Sequence, residues 1–144
     1  MLSVPVISFS VDKAGDFING RVALATGDVS TRRRIYQEQS FQLNGLTHDR
    51  LRNALTVYYD EVITTLVRAM HDHVSAAQRL PKLDQAIPIV LSGGTASPQG
   101  LLEYFGKVML SQKFPLKISG VRVSPDLLHS TARRVDGRVL LVCA

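Results

Sequence analysis

The residues best suited to do chemistry stand together at Ser92-Gly93-Gly94-Thr95. They separate an apolar run at 87–91, Ile-Pro-Ile-Val-Leu, from an amphipathic run that begins after Ser97-Pro98. The period changes there from strand-like to helix-like, so the four residues read as a strand-to-helix turn. Two adjacent glycines let the backbone turn sharply and approach a ligand with no Cβ in the way. Ser97 is a suitable N-cap, and Pro98 suits the first helical position, where an N–H would have no helical partner. The free N–H groups of that first turn favour an anion or the polar edge of a ligand. The turn is therefore a place to hold part of a nucleotide. The same Gly-Gly pair also serves the packing of any strand-turn-helix unit, and the residues alone do not choose between the two.

Covalent and metal chemistry find less support. Ser92 has no His or Asp at a spacing that would make it a nucleophile. No Gly-x-Ser-x-Gly elbow, Walker-type phosphate loop or His-Glu-x-x-His zinc motif occurs. His71 and His73 are two residues apart and fall on different faces of a helix, which is wrong for a shared metal. His48 and His129 have no local cluster of carboxylates or cysteines. Cys143 is the single cysteine, which excludes an intrachain disulfide and disfavours a thiolate cage. No metal site is expected, and the carboxylates of the long helix read as solvated charges.

The elements that position the turn follow in order. Residues 4–11 read as a strand with Pro5 near its start. A helix is predicted over 16–25, stopped by Thr26-Gly27-Asp28 with Gly27 at the C′ position. A second short helix over 31–39 carries Arg32-Arg33-Arg34 on its first turn. After a loop at 41–46, Thr47 is the expected N-cap of the longest helix, which runs to about Gln78. Its predicted buried face is Leu51, Leu55, Tyr58, Val62, Leu66, Met70 and Val74. A helix over 98–110 then joins the strand at 87–91 to a parallel strand at 116–123 in a βαβ unit. A short helix over 125–133 precedes an apolar run at 139–142, whose period fits either a strand or a buried helix start.

A chain of 144 residues is long enough for one domain and its core, not for two full ones. Its 45% hydrophobic and 20% charged residues are ordinary for a soluble globular protein. No apolar run approaches the roughly 20 residues that cross a bilayer, and no signal peptide is visible, so the cytoplasm is expected. The net charge of +5 raises nucleic acid as a partner. The cations are scattered, however, and the aromatics form no stacking series, so a solvated basic face is the preferred explanation.

Several separated stretches together resemble the second half of the actin-like ATPases, the superfamily of actin, bacterial rod-shape and plasmid-segregation filaments, and heat-shock chaperone ATPase domains. Val-Leu-Ser-Gly-Gly-Thr-Ala-Ser-Pro-Gln-Gly at 90–100 is similar to the family's adenosine motif. Ile7-Ser8-Phe9-Ser10-Val11 followed by Ala14-Gly15-Asp16-Phe17-Ile18 resembles the strand and Gly-Asp turn after the second phosphate loop. Ile35-Tyr36-Gln37-Glu38 falls where the family often has Lys-Glu near the adenine and ribose. Leu128-His129-Ser130-Thr131-Ala132-Arg133 resembles the second connecting helix.

The resemblance implies a partial actin-like, ribonuclease-H-like α/β fold: an incomplete mixed sheet with flanking helices and a mostly helical insert. Residues 1–11 and 81–144 would form the sheet-containing subdomain and 12–80 the mostly helical one. Gly93, Gly94 and Thr95 would touch the adenosine or α-phosphate of ATP or ADP, Glu38 with Gln37 would flank the sugar and base, and Gly15 would lie near the ribose. Gln37 departs from the usual lysine, Asn19 stands where an acid is common, and Arg134-Val135-Asp136 is inserted before Gly137. The two Asp-Gly phosphate loops that hold the phosphates and Mg²⁺ belong upstream of Met1 in such a fold. A nucleotide-binding half of a filament-forming or nucleotide-switched protein, inactive in ATP hydrolysis alone, is therefore the leading expectation. An open strand edge beside residues 87–91 is expected with it, to be met by self-association or by the absent N-terminal half. The rival reading is an α/β protein-interaction module with no nucleotide site.

Overall fold

The computed structural model describes residues 9–13, 15–27, 49–77, 85–92, 100–123 and 140–143, with the backbone alone at 92 and 140–143. Two helices come first in the described order, α1 at Gly15–Thr26 and α2 at Arg50–Ala76. The α2 cap is Asp49, two residues beyond the expected Thr47, which lies outside the described residues. Its carboxylate accepts from the N–H groups of Leu51 at 2.9 Å and Arg52 at 3.3 Å. It thereby satisfies two orphan donors and sets a negative charge at the positive end of the helix dipole. Gly27 closes α1 as expected, with φ 66 and its N–H returned to the Ala23 carbonyl at 2.9 Å.

α1 lies antiparallel to α2. Phe9, just before it, stacks on His73; Lys13 reaches Glu61; Phe17 meets Tyr58 edge-on; Arg50 donates to the Ala25 carbonyl at 2.8 Å. That last bond places a cation at the negative end of α1. The buried side chains of α2 include Leu51, Leu55, Tyr59, Ile63, Val67, Met70 and Val74. Five of the seven expected residues, Leu51, Leu55, Val62, Met70 and Val74, are buried; Tyr58 and Leu66 are only partly so, and Tyr59, Ile63 and Val67 are buried beside them. The stripe slides round the helix because α1 covers the first half of α2 and other elements cover the second. Burial pushes the Tyr59 hydroxyl well above the usual phenol range, so it stays neutral.

β1 at Ile87–Ser92, α3 at Leu101–Ser111 and β2 at Ile118–Val123 form the expected βαβ unit, with β1 and β2 parallel. β3 at Leu140–Cys143 settles the tail as a strand. The order is β2-β1-β3, and β3 also runs parallel to β1. Three expectations are corrected here. The described sheet is parallel throughout rather than mixed. The edge expected to lie open beside β1 is filled by β3, so both sides of β1 have ladder partners. The strand expected over 4–11 is not continued through Phe9, Ser10 and Val11, which are irregular; Phe9 instead rests on His73 with ring centroids 4.4 Å apart.

Alternating faces of β1 are both covered: Ile89 and Leu91 enter the core with α2 and α3, and Val90 on the opposite face is 3% exposed. This is the pattern of a strand inside a parallel sheet. Pro88 has no N–H to give a neighbour, and the ladder shifts register at that place, pairing Ile87 with Ile118 and Pro88 with Gly120. Ser119 is thus an extra residue, a bulge of the kind that accommodates proline within a sheet. One continuous cluster joins Ile18 and Val22 of α1, the buried face of α2, Ile89 and Leu91 of β1, and Phe105 of α3. No described helix is long and apolar enough to cross a membrane. The helices expected over 31–39 and 125–133 lie outside the described residues.

Candidate functional site

The three parallel strands end level with one another. Leu91 is paired with Val123 of β2 and Val142 of β3, and Ser92 with Cys143. β1 leads through α3 to β2 on one side, while β3 occupies the other. In open α/β sheets, ligands bind outside the carboxyl ends of strands where the order changes direction, which here is β1. Ser92 ends β1 and is followed in sequence by Gly93, Gly94 and Thr95, which lie outside the described residues. Gln37 and Glu38 lie outside them as well.

α3 begins at Leu101, not at Pro98. Gly100 precedes it in the left-handed region, φ 79, and no side chain caps the helix. A residue of that conformation cannot sit inside an α-helix, so the Ser97-Pro98 start is displaced by three residues. The first-turn N–H groups belong to Leu101 and its successors rather than to the residues next to Thr95.

Gly15 is the first residue of α1 and is partly buried. Its level in the molecule is fixed by two acidic residues of α2 standing back to back. Glu61 accepts from Lys13 Nζ at 2.6 Å, just before α1, and Asp60 accepts from the Tyr104 hydroxyl in the first turn of α3. The N-terminal ends of α1 and α3 are thus both brought to the midpoint of α2. Gly15 and the first turn of α3 therefore lie at about the same level along α2. Asp60 is exposed and Glu61 partly so, as expected of solvated charges, but each also has a partner in the chain. The Lys13–Glu61 pair is one-third to two-fifths exposed and contributes at most about 1 kcal/mol. Its role is placement. Lys13 and Arg21 also lie over the Phe17 ring, at 5.2 and 5.5 Å from its centroid, which fixes the start of α1 further.

His71 and His73 do diverge: His73 stacks on Phe9, and His71 approaches Phe114 edge-on, 6.5 Å between centroids. Among the described residues no group of three or more His, Cys, Asp or Glu is placed to hold a metal ion. A groove of about 260 Å³ lies elsewhere, at the end of α1 and the start of α2, lined by Ala25, Arg50, Asn53, Ala54, Val57 and Tyr58.

A family model described as Volactin matches residues 1–135. The chain belongs to the Volactin family. The stretch shared with the Volactin model includes α1, α2, β1, α3 and β2 and stops before β3. No curated protein and no solved structure matches this Volactin chain.

Proposed function

We propose that this Volactin-family chain binds a purine nucleotide, ATP or ADP, at the carboxyl edge of β1, as the second half of an actin-like ATPase fold. One observation carries the reading: a strand buried on both faces, with parallel neighbours ending level on either side, runs straight into Gly-Gly-Thr. In this reading Gly93 and Gly94 let the backbone approach the adenosine, and Thr95 adds a hydroxyl beside the α-phosphate. Glu38 and Gln37 flank the sugar and base, and Gly15 stands toward the ribose. The Asp60 and Glu61 contacts hold the starts of α1 and α3 at one level along α2, which is compatible with the reading.

Phosphoryl transfer depends on positioned phosphates and compensating charge. The 144 residues contain no phosphate loop of known pattern, so the chain alone is expected to turn over ATP no faster than buffer. A filament-forming or nucleotide-switched role would belong to an assembly that supplies those loops and Mg²⁺.

Calorimetric titration with ATP and ADP tests the reading. Gly94→Val should weaken binding at least about tenfold by placing a branched side chain against the ligand, and Glu38→Ala should weaken it less. Equal affinity in wild type and Gly94→Val, or no heat at millimolar nucleotide, would sink it. The rival, a protein-interaction module, is favoured by the groove at the α1–α2 end, where the lining Val57 is 52% exposed.

A further inference from the structure

We draw no further inference here: the strongest candidate, the apolar groove between the end of α1 and the start of α2 with Ala25, Ala54 and Val57 in its lining, carries nothing, because nothing among the described residues shows what covers it.

Discussion

β1 and β2 are neighbours in one sheet, six residues each, and nearly opposite in character. From Ile87 to Leu91 every residue of β1 except Pro88 is buried. In β2 only Ile118 and Val121 are partly covered, and Ser119, Gly120, Arg122 and Val123 are exposed. The period of cover along β2 is three, not two, because the bulge at Ser119 turns Ile118 and Val121 toward the same side. A bulge and an exposed arginine also make β2 a poor template for an additional strand. The contrast shows where a parallel sheet of three strands keeps its stability: in the strand with two partners, while the rim carries charge and irregularity.

That contrast can be broken by two substitutions and one deletion of graded effect. Ile89→Ala, at a position with no exposure, should lower the unfolding free energy by about 3 kcal/mol, read by urea denaturation. Deleting Ser119 leaves Ile118 and Val121 two residues apart and on one face by plain alternation, so it should cost only about 1 kcal/mol, through the regular ladder it sets opposite Pro88. A loss as large as that of Ile89→Ala would mean that the facing of β2 depends on the bulge. Val123→Ala, at a residue 39% exposed, should cost less than about 0.5 kcal/mol. If it cost as much as Ile89→Ala, the rim would be covered and the comparison would fail.

The βαβ unit was legible because each of its parts is punctuated: an apolar run, a glycine turn and an amphipathic stretch. The end of α1 was legible for the same reason, since Gly27 is suited to the left-handed position it takes. The facing of α2 was less so. A repeat of three and four finds one straight stripe, but two different neighbours cover its two halves, and that is information from elsewhere in the chain. The engagement of Asp60 and Glu61 was hidden for the same reason, as their partners Tyr104 and Lys13 are 44 and 48 residues away. Pro88 was the overlooked signal: a proline within a run that proves to be the central strand points to a bulge opposite. Of the candidate site, the strand and its carboxyl edge could be read locally. The displaced start of α3 could not, because Ser97-Pro98 and Gly100 offer competing helix boundaries three residues apart.

The pairing of Ile89 with Leu140 joins positions about fifty residues apart. During synthesis β1 and β2 can meet as soon as α3 has formed, but β1 keeps one bare row of N–H and C=O groups until β3 emerges. A ribosome stalled between the two would hold a buried-type strand with a naked flank, the form most exposed to mispairing with another nascent chain. Any tag or fusion that crowds residues 140–143 should therefore show itself first as lost soluble yield rather than as altered ligand affinity.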